Sequence, residues 1–318
     1  MIYLYKNLIN SFFKLIYGKI TKLKNIKHSN ELKIYHIKYN QYKLKLYAIK
    51  KGRVFTDCNT NVAYITNNKI INGISYQQNK HKIADIDYNS TLISGTNKFK
   101  KTYEGIVFSM IQGSSGTNYY HWLIDILPKV EILKKNNLIN KIDYFYVPNM
   151  NNYILNTLKV YGVNKDQIIN SMDYKHIQAD EILVFEHFYF KKGIIQSQFK
   201  NIPLWILKLL NKKFLNFKRK IKCTNKIFID RSDSKFSHFK IQNQREIIKY
   251  LIKKNFSVFK LSKINFFQQI YLFNKSKIIV GPHGAGFANL VFCKQKTKVY
   301  EIITPNHSNL VSTGHICK

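Results

Sequence analysis

Between Gly52 and about Met110 apolar and polar positions alternate in short runs. Val54-Phe55, the run Val62 to Ile65 ahead of Asn67-Asn68, and Ile70-Ile71 ahead of Asn72-Gly73 predict a series of β-hairpins. An apolar strand over residues 106–111 then leads through a small-residue loop, Gly113-Ser114-Ser115-Gly116-Thr117-Asn118, into a helical period over residues 119–135. A strand at Tyr144–Val147, a helix over 153–161 and a strand over 182–185 follow. The last third alternates more regularly, with helices over 203–217, 244–254, 266–273 and 285–292 and strands at Lys226–Ile229, 257–261, 278–280 and 299–302. That is a βαβ series, so the expectation is an α/β chain ending in a parallel sheet with right-handed crossovers.

The first twenty residues are apolar but broken by Lys6, Lys14 and Lys19, and no small-residue cleavage site follows. They suit neither a secretory signal nor a spanning helix. At helical spacing Leu4, Leu8, Phe12 and Leu15 share one face with lysines beside it. Two readings fit that face: a helix lying in a membrane interface, or one packed on its own domain.

The chain has 318 residues, about twice a typical domain, and the expected division is residues 1–200 and 201–318. Lys and Arg number 52 against 17 Asp and Glu, a net charge of +35. Such a charge fits a polyanionic partner, but all the basic residues except Arg53, Arg219, Arg231 and Arg245 are lysines. With so much Asn, Ile, Tyr and Phe beside them, an A/T-rich coding sequence accounts for much of the excess. The lysines are spread over every segment with no RNA-binding signature, so no nucleic-acid partner is expected. Cys58, Cys223, Cys293 and Cys317 are far apart and show no metal-ligand spacing, which fits a reducing, cytoplasmic setting.

Three segments carry chemistry. Gly281-Pro282-His283-Gly284-Ala285-Gly286-Phe287-Ala288-Asn289 lies between an apolar strand and a helix, where small residues admit a ligand to the backbone and helix N–H groups face a phosphate. It is neither a dinucleotide fingerprint nor a Walker loop. It fits a diphosphate cradle with His283 as a donor, or else a tight strand-to-helix packing. His121 and Asp125, four apart, share a helix face as an acid/base pair or a surface pair. Arg231, after the strand Lys226–Ile229, sits where ligands bind in open α/β sheets; it can grip phosphate or pair with Asp230 or Asp233. Glu301 ends the next strand and can accept from ribose hydroxyls. Asp85-Ile86-Asp87 matches a DxD metal motif in form but lies among hairpins.

On Asn118 to Pro128, Ile229-Asp230-Arg231, and Gly281 to Asn289 followed by Val299-Tyr300-Glu301-Ile302, the chain resembles glycosyltransferase family 61, whose bacterial members are often labelled capsular polysaccharide biosynthesis proteins. The resemblance runs from about residue 50 to the end. It implies a GT-B fold, two Rossmann-like domains facing a cleft, with the acceptor side in the first and a nucleotide sugar in the second. It also implies inverting transfer to a surface or lipid-linked glycan, with no metal and no cofactor beyond the donor, expected to be a UDP-sugar. Carried onto this chain, Asp125 is the base with His121 beside it. Arg231, His283, Gly284, Ala285, Gly286, Asn289 and Glu301 then hold the donor.

The chain stops soon after Glu301, where family members look as though they continue with a helix, so the second domain is expected to be truncated and its tail irregular. Two other readings stand beside this one. They are an inactive truncated transferase and a non-catalytic basic protein that binds nucleic acid or an anionic membrane. For the transferase itself the expected place is the cytoplasm, with peripheral contact to the inner membrane face through residues 1–20.

Overall fold

The computed structural model describes residues 2–23, 30–80, 82–112, 118–233, 241–303 and 316. The chain is an α/β protein with parallel and antiparallel strands, in two compact units, Met1–Gln198 and Phe199–Lys318.

The first unit is built on a mixed sheet. Four of its strands are mutually parallel and run side by side in the order Ile168–Asn170, Tyr144–Val147, Lys101–Ser109, His176–Phe185. Numbered along the chain this is 3-2-1-4, the order of a doubly wound sheet, and its switch point falls between Lys101–Ser109 and His176–Phe185. The strand His176–Phe185 joins this parallel half to the hairpins. Its last residues pair antiparallel with Tyr42–Lys50 and its first with Arg53–Thr56. Those two strands are one line of chain broken at Lys51-Gly52. Lys51 takes φ 46°, and a Cβ on Gly52 would come within 2.8 Å of the Ile49 carbonyl, so the bend needs a glycine there. Ile49, Val54, Val62, Tyr64, Val107, Ile177 and Ile182 form the core beneath it.

Several expectations shift. The hairpins start earlier, with Leu32–Tyr39 on Tyr42–Lys50. The strand expected at 106–111 is Lys101–Ser109, and the one at 182–185 is the end of a ten-residue strand. Of the small-residue loop, residues 113–117 lie outside the described residues. Asn118 accepts from the Tyr120 amide and caps the helix that follows.

The second unit has a four-stranded parallel sheet, ordered Ser257–Phe259, Lys226–Ile229, Ile278–Pro282, Lys298–Ile302. Its order is 2-1-3-4, with the switch point between Lys226–Ile229 and Ile278–Pro282. Helices Leu204–Phe214, Gln244–Lys253 and Phe266–Lys275 accompany it. The segment Ala285–Phe292, expected as an α-helix, is 3₁₀. Phe287 N–H bonds the Gly284 carbonyl and Cys293 N–H the Leu290 carbonyl, each three residues back, and the Asn289 side-chain amide takes the Gly286 carbonyl, so the segment winds in the tighter turn. The tail expected to be irregular falls at 304–315 and 317–318, outside the described residues.

Candidate active site

In the first unit, two chain segments leave the carboxyl ends of the strands that flank the switch point. After Lys101–Ser109 comes the helix carrying His121 and Asp125; after His176–Phe185 comes Glu186-His187-Phe188-Tyr189-Phe190. The helix is not regular. Residues Trp122–Ile126 form a π turn, closed by the Leu127 N–H bonding to the Trp122 carbonyl. Pro128 supplies a cause, since it has no N–H to donate and its ring crowds the turn before it, so the helix widens by one residue there. Trp122 Nε1 donates to Thr157 Oγ1 at 3.0 Å and ties the turn to the neighbouring helix. Asp125 is thus part of a widened turn that is tied from behind.

The sequence put His121 and Asp125 on one face, and the structure buries the pair. The Asp125 side chain is 2% exposed and that of His121 11%, with His121 Nδ1 2.6 Å from Asp125 Oδ2. A carboxylate only accepts, so Nδ1 carries the proton and donates. Tyr189 donates its hydroxyl to the other oxygen, Oδ1. His187 faces Oδ2 with its Nε2 at 3.8 Å. Burial raises the Asp125 carboxyl, but the hydrogen bonds and charges of His121 and His187 outweigh it and hold the group well below the usual carboxylate range.

The two histidines are not equivalent. His187 Nδ1 accepts from the backbone N–H groups of Tyr189 (3.3 Å) and Phe190 (3.0 Å), so its proton sits on Nε2, aimed at Asp125. Both nitrogens are committed, and burial lowers its pKa further. His121 faces Asp125 through Nδ1, which leaves its Nε2 on the opposite edge of the ring.

Neither His187 nor Tyr189 was singled out from the sequence, and neither was Lys129. That lysine lies four residues after Asp125 and is 2% exposed; burial brings its ammonium down to about 7, against the opposing pull of Asp125 and Glu186. With the Gln112 amide oriented to suit its neighbours, Gln112 accepts from Lys129 Nζ at 2.8 Å and donates to the Asp125 carbonyl at 3.2 Å. A cavity of about 300 Å³ shares a wall with this cluster through Gln112, His187 and Phe190. Its other walls include Tyr76, Asp85, Glu186 and Lys192. Phe190 stacks on His187 at 4.4 Å and meets His121 edge-on at 6.3 Å. The carboxylates of the DxD-like pair are engaged by lysines, Asp85 with Lys192 and Asp87 with Lys22. Among the described residues no three His, Cys, Asp or Glu side chains converge as a metal site.

In the second unit, Arg231 and the turn after Ile278–Pro282 meet at that sheet's own switch point. The guanidinium packs so closely on Gly284 that a Cβ there would overlap it. Burial lowers the Arg231 pKa and the Asp233 charge opposes the shift, while Asp230 is taken up by Ser232, Gln244 and Lys260. A cavity of about 170 Å³ lies beside Arg231 and Gly286, with Leu261 and Phe287 in its wall. His283 Nδ1 bonds Glu301, and Gly281 pairs with Glu301 in register, so this carboxylate orients the imidazole beside the turn. Asn289 is fully buried; its amide holds the Gly286 carbonyl (3.0 Å) and Gln269 (2.9 Å), which makes it a strut behind the turn. Ala285 opens the 3₁₀ segment. Of the other arginines, Arg53 is buried in the hairpins against Asn68, and Arg219 lies over Phe267.

A family profile described as Glycosyltransferase 61 matches residues 119–300, a span that opens at the His121 helix and closes one residue before Glu301. The chain belongs to glycosyltransferase family 61. Glycosyltransferases move a sugar from a donor to an acceptor, and the match includes His121, Asp125, His187, Arg231 and the Gly284 turn. The N-terminal helix and the hairpins precede it. No curated protein matches the sequence closely enough to serve as a relative.

Proposed function

We propose that this glycosyltransferase acts by inversion, moving a sugar from a nucleotide sugar, in the expected form a UDP-sugar, to a hydroxyl of a surface or lipid-linked glycan, and that it needs no metal. The reading is carried by the buried His121–Asp125 pair inside the family-matched span. In it, Asp125 orients the ring rather than taking the proton, because a carboxylate this well supplied with donors is a weak base. His121 Nε2 accepts the proton of the acceptor hydroxyl. The oxygen forms its bond to the anomeric carbon on the face opposite the leaving group as the bond from that carbon to the diphosphate oxygen breaks. The electron pair goes to the diphosphate, whose charge Arg231, His283 and the turn at Gly284 stabilise. The first unit thus activates the acceptor and the second binds the donor, consistent with a GT-B enzyme working on the cytoplasmic side.

The cavity beside His187 suits the acceptor. It stands at the small end of ligand-pocket sizes, and its mixture of aromatic faces with carboxylate, amide and lysine groups matches a sugar residue. Transfer or donor hydrolysis across a panel of nucleotide sugars, with EDTA present, tests the proposal. Turnover with at least one donor and inverted anomeric configuration in the product are expected. Retention of configuration, strict dependence on a divalent metal, or no turnover with any donor would overturn it.

A further inference from the structure

The N-terminal helix Ile2–Tyr17 has two apolar stripes, and only one of them faces the protein. Asn10, Phe13 and Tyr17 point inward. Asn97 donates to the Asn10 side chain at 3.5 Å, Phe13 meets Phe99 at 5.1 Å, the Lys100 amide donates to the Tyr17 hydroxyl at 3.0 Å, and the Tyr17 ring packs on His176 at 5.1 Å. The helix is therefore firmly seated. Its other stripe is Tyr5, Leu8, Phe12, Leu15 and Ile16, which at 100° per residue fall within an arc of about 100°. They are 68%, 63%, 51%, 87% and 46% exposed. Phe99, 70% exposed, extends the stripe beyond the helix, its ring 6.4 Å from that of Phe12.

We propose that this stripe docks the protein on an anionic lipid surface, lying in the interface plane. A soluble surface rarely leaves so many large apolar side chains in one line. The surroundings select the partner. The helix contains no acidic residue, and Lys6, Lys14, Lys19, Lys98 and Lys101 stand exposed along and beside it. Exposed apolar residues in one stripe, on a helix that carries exposed ammonium groups and no carboxylate, match the boundary between acyl chains and negative headgroups. The helix is too short to span a bilayer, and no described helix is long and apolar enough to do so.

The test is flotation of the full chain with phosphatidylcholine vesicles, with and without added phosphatidylglycerol, at low and high salt. The comparison is with Leu8→Ser/Phe12→Ser/Leu15→Ser, which has the same net charge, so any difference reports apolar insertion rather than the chain's general basicity. The wild type should float with the phosphatidylglycerol vesicles and keep part of that binding in high salt. The triple variant should bind at least about tenfold more weakly and lose what remains in high salt. Near-UV circular dichroism confirms that the variant is folded; if it is not, Leu15→Ser alone, at the most exposed position, should still lower the high-salt binding. Equal flotation of wild type and variants, or no flotation of the wild type, overturns the proposal. So does a wild-type dimer in solution that the triple variant converts to monomer, since the stripe would then be covered by a second copy.

Discussion

His187 donates toward the same carboxylate oxygen of Asp125 that accepts from His121, from a segment more than sixty residues further along the chain. The backbone fixes the His187 tautomer, so of the two imidazoles around this one carboxylate His187 is the one anchored from the main chain.

His121→Ala should lower kcat by about 10²- to 10⁴-fold, the usual worth of a positioned general base, with nucleotide binding by calorimetry unchanged. Asp125→Asn should also reduce kcat by about 10²-fold or more, because an amide lets the ring turn. If the two act as one unit, the double variant will be scarcely worse than the more damaged single one. Near-normal turnover in Asp125→Asn with loss in His121→Ala would leave His121 working without its partner.

Tyr189→Phe removes one hydroxyl donor from a buried carboxylate. It should cost about 1–3 kcal/mol of stability in chemical denaturation, the penalty for leaving such a group short of a partner. A change within about 0.5 kcal/mol would mean that His121 and His187 satisfy Asp125 unaided.

Gly284→Ala should behave like Arg231→Ala, since its methyl group would occupy the place of the guanidinium. Each should weaken nucleotide binding by roughly 1.5–3 kcal/mol, the scale of a charge-assisted hydrogen bond. In the Arg231→Ala background the glycine substitution should add little. Additive losses would show that Gly284 serves the ligand through its own backbone rather than by making room for the arginine.

Lys129 gives a pH signature. Its ammonium is lowered to about 7 when folded, while an unfolded lysine keeps its proton to about 10.4. Between these values the unfolded chain binds the extra proton, so stability should rise with pH, by at most about 1.4 kcal/mol per unit. Lys129→Met should flatten that rise between pH 7 and 9 and raise the unfolding temperature at pH 6. An unchanged pH slope would place the titration elsewhere.

His121 and Asp125 were legible because four-residue spacing on a helix carries its own geometry, and Arg231 because it follows a strand. His187 and Tyr189 were not, since their place depends on which strand lies beside Lys101–Ser109, a long-range pairing that periodicity does not encode. A local cue existed: both follow the carboxyl end of an apolar strand, where ligands gather in such sheets. The Leu32–Lys50 hairpin escaped notice because its turn has no glycine; Asn40 takes the positive φ of 51° instead. For the N-terminal helix the sequence allowed two orientations, and only the inward contacts of Phe13 and Tyr17 decide which stripe faces out.

The strand His176–Phe185 pairs with residues more than a hundred positions earlier on one side and with Lys101–Ser109 on the other. A ribosome delivers those partners long before it delivers the strand. Until residue 190 has emerged, Asp125 has no His187 or Tyr189 to hold it, and the hairpins have no seam to close against. The cluster around Asp125 is thus among the last things this unit can assemble, and until then the nascent chain carries a half-built sheet with an open edge.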